Sequence, residues 1–236
     1  MEHVALAEVA AVLAEPARAA MCLALIDGRA WTVGELARVA GIAPSTGSEH
    51  VGRLAAAGFV QSVRQGRHRY VRIADPRVAE LIERLSGQTG PPPPAGLRAS
   101  LRARRLAVAR TCYDHLAGRL GVRLREGMLR LGLIDTSSGL TITAAGRRTL
   151  DRLGVAEPAP NGRPLLRDCL DWTERREHLA GAIPAALLNR AVAAGWLDRA
   201  PDRSVRIRPA GSQPLAALGV DVPQLQGGDA ALERSG

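Results

Sequence analysis

The spacing of apolar positions changes period within residues 32–73, and the changes mark out a helix, a turn, a second helix and a β-hairpin. The first helix spans Thr32 to Ala40. The second opens within Ala43-Pro44-Ser45-Thr46-Gly47, carries Gly47, Val51 and Leu54 at the spacing of a core-facing stripe, and ends at Ala57-Gly58, where a helix C-terminus favours a left-handed residue. Val60 to Arg64 and His68 to Ile73 then alternate apolar and polar side chains around Gln65-Gly66-Arg67, the chemistry of a tight hairpin turn. That order is a winged helix-turn-helix, from which sequence-specific DNA binding is expected. One more helix is predicted ahead of it, over about Val4 to Ala14. Another follows it over Pro76 to Leu85, with Val78, Leu81, Ile82 and Leu85 on one face.

The pattern breaks at Gly87 to Gly96, Gly-Gln-Thr-Gly-Pro-Pro-Pro-Pro-Ala-Gly, which reads as a stiff extended spacer. Beyond it the chain repeats itself. His115-Leu116-Ala117-Gly118 recurs as His178-Leu179-Ala180-Gly181, and Gly132-Leu133 recurs as Gly195-Trp196 at the same offset. After two extra residues Ala145-Gly146 matches Ala210-Gly211, and Leu153-Gly154-Val155 matches Leu218-Gly219-Val220. Each copy is expected to run helix, turn, helix, short hairpin (Leu140 to Thr143, Ser204 to Arg208) and closing helix. The expected fold is therefore mostly α with small β wings: a winged helix-turn-helix over 1–86, a linker at 87–97, winged-helix-like repeats at 98–155 and 156–221, and a tail at 222–236.

Composition narrows the class. The hydrophobic fraction of 46% supplies a core, but with 3% aromatics the packing falls to Leu, Val and Ala, mainly helix formers. No apolar run is long enough for a membrane span and the start has no signal-peptide pattern, so a cytoplasmic location is expected. Cysteines at 22, 112 and 169 are too few and too scattered for a disulfide framework. All 32 basic residues are arginine, and the net charge is +9. Residues 1–86 hold 10 Arg against 9 acids, whereas residues 87–236 hold 22 against 14, so the positive surplus lies outside the DNA motif. Arg98, Arg102, Arg104 and Arg105 are either a solvated surface or a source of extra phosphate contacts.

The run Leu13-Ala14-Glu15-Pro16-Ala17-Arg18, with Val33-Gly34-Glu35-Leu36-Ala37, Ser45-Thr46-Gly47-Ser48-Glu49-His50, Ala57-Gly58-Phe59-Val60 and Gly66-Arg67-His68-Arg69-Tyr70, resembles the DNA-binding domain of ArsR/SmtB-type bacterial repressors over residues 3–86. The resemblance implies a homodimer on a palindromic double-stranded operator, released by an inducer, with the first and closing helices building the dimer interface. The expected DNA-reading face comprises Pro44, Ser45, Ser48 and Glu49, with Thr46, His50 and Arg53 at its edge, and the wing contributes Arg64, Arg67, His68 and Arg69. Glu49 departs from the basic residue common there in the family. An architectural DNA binder is the alternative function.

The C-terminal half offers one constellation for sensing. Arg110-Thr111-Cys112-Tyr113-Asp114-His115 resembles Arg167-Asp168-Cys169-Leu170-Asp171, which is followed by Trp172 and, later, His178. On a helix, Cys112 and His115 share a face and could ligate one zinc-like ion, whereas Cys169 and His178 would fall on opposite sides. Four roles stay open: buried structural side chains; a small-molecule pocket of Tyr113, Trp172 and Trp196 with His115 and His178, and Asp114 and Asp171 nearby; metal or metalloid binding; and thiol redox sensing. The metal sites of the resembled family have no counterpart, since residues 32–40 lack cysteine and Asp75-Pro76-Arg77-Val78 lacks the Asp-x-His ligands. No cofactor is required by the sequence. No phosphate loop, Gly-x-Ser-x-Gly or paired-carboxylate motif is present, so an enzyme is not expected.

Overall fold

The computed structural model describes residues 2–26, 29–65, 68–89, 97–159 and 162–227, and the chain divides into two compact units, 1–85 and 86–236. In the first unit, α1 (Glu2–Leu13) and α2 (Pro16–Leu25) precede β1 (Trp31–Thr32), α3 (Val33–Ala40), α4 (Pro44–Ala56), β2 (Val60–Gln65), β3 (His68–Ile73) and α5 (Pro76–Thr89). Helix α3 starts on a capping box: the Glu35 N–H donates to the Thr32 hydroxyl, and the Thr32 N–H donates to the Glu35 carboxylate. Helix α4 ends as its sequence predicts, with Gly58 at φ 74°. Strands β2 and β3 pair antiparallel from Val60↔Ile73 to Gln65↔His68, and β1 adds to β3, so the wing is a three-stranded sheet ordered β1-β3-β2. Met21, Leu25, Leu36, Val51, Leu54, Phe59 and Val71 are buried and form its core. Helix α5 runs past the expected end at Leu85 into the segment read as spacer.

The second unit contains α6 (Leu97–Val108), β4 (Arg110–Cys112), β5 (His115–Ala117), α7 (Gly118–Arg130), β6 (Ile134–Asp135), β7 (Thr141–Ile142) and α8 (Ala144–Arg152). It continues with β8 (Arg167–Leu170), β9 (Glu177–Ala180), α9 (Ala182–Ala193), β10 (Leu197–Arg199), β11 (Val205–Ile207), a 3₁₀ turn (Pro209–Gly211), α10 (Ser212–Ala217) and α11 (Val222–Gly227). The strands pair as hairpins β4-β5, β6-β7, β8-β9 and β10-β11. The order hairpin, helix, hairpin, helix thus occurs twice.

This corrects the winged-helix order expected of each copy: the segment read as the first helix is a hairpin. Tyr113, with φ 55°, makes a two-residue turn that a helix cannot contain. Helix α11 likewise corrects the tail, because Val222 and Leu225 are buried in the core of the unit and the helix occupies residues 222–227. Among the described residues no helix is long and apolar enough to cross a membrane.

Candidate functional site

Helix α4 separates its faces as the spacing requires. Gly47, Val51 and Leu54 are buried, while Pro44, Ser45, Thr46, Ser48, Glu49 and Arg53 are exposed. The helix opens with proline at its first turn, where the missing N–H costs nothing, and the Ser48 hydroxyl donates back to the Pro44 carbonyl. His50 is placed differently from its expected edge position. It is half-buried with Nδ1 3.4 Å from Arg18 Nη1, and Arg18 itself donates to the Val12 and Ala11 carbonyls at 2.6 and 3.0 Å. His50 therefore joins α4 to the end of α1 through Arg18.

On the wing, Arg64 and Arg69 are exposed and face each other as register partners. Gly66 and Arg67, and the His68 side chain, lie outside the described residues.

In the second unit the repeated sequence brings four donors together. Cys112 pairs with His115 across β4-β5, and Cys169 pairs with His178 across β8-β9. Their donor atoms all lie within 4.8 Å of one another, and all four residues are buried. The expectation that Cys169 and His178 fall on opposite sides of a helix is corrected, because a nine-residue separation closed by a hairpin makes them direct neighbours. Cys112 Sγ stands 3.9 Å from Cys169 Sγ, and His115 Nε2 stands 3.2 Å from His178 Nε2, with the two rings stacked at 5.1 Å between centroids. The space between the donors suits an atom, not an organic molecule.

Two carboxylates stand behind the imidazoles. His115 Nδ1 lies 3.2 Å from Asp114 Oδ1, and Arg163 grips the same carboxylate with two hydrogen bonds of 2.6 and 2.9 Å. Burial pushes the Asp114 carboxyl up, but His115 and Arg163 outweigh it and hold it at about 2. His178 Nδ1 lies 3.5 Å from Asp171 Oδ2 and has no hydrogen-bond partner. Asp171 is fully buried and accepts from Arg110 Nη2 at 2.8 Å, the Gly118 N–H at 2.6 Å, the Thr173 N–H and hydroxyl, and the Glu174 N–H. Burial raises its carboxyl too, yet the Arg110 charge and these donors hold it well below the ordinary range. Burial also raises the Cys169 thiol, and the adjacent His115 and His178 imidazoles reverse this to about 5; burial lowers His178.

The aromatic pocket expected around this cluster is not formed. Trp196 belongs to the main core of the unit, while the two cysteines sit in a separate small cluster with Ala117 and Ala180. Trp172 instead lies under Arg110, whose guanidinium carbon is 4.3 Å from the ring centroid. Tyr113 occupies the strained turn of β4-β5. A cleft of about 940 Å³ does open elsewhere in the unit, between α6 and β10-β11, lined by Leu101, Arg105, Val108, Pro201, Asp202 and Ile207 among others. Arg110 and Arg163 are the partners that sequence reading missed. Arg110 had a visible signal, since it opens the first copy as Arg167 opens the second.

Comparisons with known proteins agree with the first unit. A family model described as a helix-turn-helix domain matches residues 13–63. A Bacillus subtilis (strain 168) protein, the uncharacterized HTH-type transcriptional regulator YdfF, is 37% identical over 210 residues, spanning 87% of this chain and 93% of its own length. Among solved structures, the homodimeric winged helix-turn-helix DNA-binding domain (fragment 1-100) of Mb0332 from Mycobacterium bovis, described as a possible ArsR-family regulator, is 28% identical. That match covers 34% of this chain and 74% of the other, with a TM-score of 0.32. Reduced HlyU from Vibrio cholerae is 20% identical, covering 37% of this chain and 92% of its own, with a TM-score of 0.34.

Proposed function

Because the chain belongs to the HTH-type transcriptional regulators, we propose that it is a dimeric repressor that reads a palindromic operator with α4 and leaves it when the second unit receives a signal. The observation that carries this reading is the division of α4. Its buried face fixes the helix to its domain, and its opposite face offers short polar groups (Ser45, Thr46, Ser48), one carboxylate (Glu49) and one cation (Arg53) to the outside. Helices of about this length fit the major groove, and side chains of this size reach base edges without holding the helix away.

Dimerisation is supported by apolar side chains left open in the same unit. Leu6 and Val9 on α1 and Leu81 and Leu85 on α5 are exposed, which is costly for a monomer and ordinary for an interface. Two copies would place their recognition helices roughly 34 to 36 Å apart, one turn of DNA. The inducer would act by binding one state of the second unit better than the other, since only differential affinity moves such an equilibrium. The cleft between α6 and β10-β11 offers room for an organic inducer.

The test is a footprint on the DNA flanking the regulator's own coding sequence, with a gel-shift titration of the protected fragment. A repressor of this kind protects one short imperfect palindrome, and Ser45→Ala with Ser48→Ala together weakens binding to it. Uniform protection along the fragment, or unchanged affinity in the double variant, would reject the reading in favour of an architectural role.

A further inference from the structure

Two identical half-sites meet in the second unit. Each hairpin contributes one cysteine and one histidine from directly paired positions, so the four donors form a set with near two-fold symmetry. We propose that Cys112, His115, Cys169 and His178 bind a single zinc-class divalent ion in a closed tetrahedral site that joins hairpin β4-β5 to hairpin β8-β9. This assignment is independent of the DNA-binding reading.

The edge lengths support it first. Zinc bonds of about 2.3 Å to sulfur and about 2.0–2.1 Å to nitrogen place two sulfurs of a tetrahedron about 3.8 Å apart and two nitrogens about 3.3 Å apart. The observed separations are 3.9 Å and 3.2 Å. A disulfide between the two sulfurs would need about 2.05 Å, far inside their spacing.

Proton bookkeeping supports it independently. Both imidazoles turn Nδ1 toward a carboxylate, Asp114 at 3.2 Å from His115 and Asp171 at 3.5 Å from His178 without a hydrogen bond, and the negative charge favours the proton on Nδ1. Each Nε2 then points a lone pair at the other across 3.2 Å, an arrangement that repels unless a cation lies between them. Asp114 orients His115 through its second nitrogen, as is usual for a metal-bound histidine, and Asp171 supplies negative charge beside the second nitrogen of His178. Each is in turn held by an arginine, Arg163 or Arg110.

The donor set fixes the class of ion. Two thiolates balance a dication, and the sulfur–imidazole mixture in tetrahedral array selects zinc-like metals over magnesium or calcium. All four ligands are buried and no position is left open to a substrate, so the ion holds the unit together and performs no hydrolysis.

The experiment uses the full chain, purified under reducing conditions without chelators. Elemental analysis is expected to find about one zinc per chain. After chelation, titration with Co(II) alone should saturate at about one equivalent and give a thiolate-to-cobalt charge-transfer band with the intense visible absorption of tetrahedral cobalt, both abolished by added Zn(II). Cys22→Ser, a change in the other unit, should leave this spectrum intact, and Asp114→Asn should weaken cobalt affinity about 10–100-fold. Cys112→Ser leaves Cys169 as the one thiolate ligand and should about halve the charge-transfer intensity; should that variant fail to fold, the wild-type and Cys22→Ser titrations still decide. A weak octahedral cobalt spectrum, loss of the signal in Cys22→Ser, or a Cys112–Cys169 disulfide in the reduced protein would overturn the assignment.

Discussion

A Cβ placed on Gly47 would stand 2.8 Å from the Ala37 Cβ, closer than methyl groups pack. Gly47 is thus the point at which α4 rests on α3, and the angle of the recognition helix depends on two residues without bulk. Gly52, on the same helix, would meet nothing within 4 Å. The same chemical change should therefore have different effects at the two positions. Gly52→Ala is expected to stabilise the protein by about 0.5–1 kcal/mol through helix propensity. At Gly47 that gain is set against overpacking of about 1–3 kcal/mol, so Gly47→Ala should be neutral to destabilising and Gly47→Val clearly destabilising. Circular-dichroism melts of the three variants check this, and equal shifts for Gly47→Ala and Gly52→Ala would refute the close packing.

Arg64 and Arg69 face each other across the wing with both guanidinium groups exposed. Like charges directly opposite on a strand pair are unfavourable by themselves and become favourable with an anion between them. A DNA phosphate is the anion this geometry suits. Replacing both by alanine should reduce the slope of log affinity against log salt by about two units, with similar losses on operator and unrelated DNA. An unchanged slope would place the wing away from the backbone.

The DNA-reading unit was legible because every local signal agreed. The capping Thr32 and Glu35, the left-handed Gly58 and the alternation of Val60 to Ile73 each indicated the element that forms there. The second unit was only partly legible. The repeat exposed its periodicity, but a three-residue spacing between Cys112 and His115 fits one face of a helix as well as a pair across a two-residue turn. Three-residue strands buried on both faces, as β4 and β5 are, show no alternation to separate these cases. The gathering of Cys169 and His178 beside Cys112 and His115 is a long-range contact, and no local pattern encodes it. The pairing of Arg110 with Asp171 is a long-range contact of the same kind.

Glu49 is an exposed carboxylate on a face otherwise suited to DNA. It repels phosphate, but it can accept a hydrogen bond from a cytosine amino group in the major groove, so its value is discrimination. Glu49→Ala is expected to raise affinity for unrelated DNA while reducing operator preference by about 1–3 kcal/mol at a single base pair. Binding to a set of operators each altered at one position measures both. If the variant kept full preference at every position, Glu49 would have no part in reading bases.

Arg110 and Asp171 form a buried ion pair at 2.8 Å, and its two halves should not be equally costly to remove. Asp171 accepts from Arg110, from the N–H groups of Gly118, Thr173 and Glu174 and from the Thr173 hydroxyl, so it holds the start of α7 and the turn after β8 together. Asp171→Asn keeps the shape but presents an amide N–H₂ to donors that need an acceptor, and it leaves a buried guanidinium without its counter-charge. A loss of about 3–5 kcal/mol is expected, the range for a buried pair broken on one side. Arg110→Met leaves a carboxylate that retains its other donors and an apolar side chain lying on Trp172, so its cost should be smaller, about 1–3 kcal/mol. Because the partners share one interaction, the double variant should be less destabilised than the sum of the two single ones. Urea unfolding of all three variants measures this, and strict additivity would show that the pair does not act as a unit.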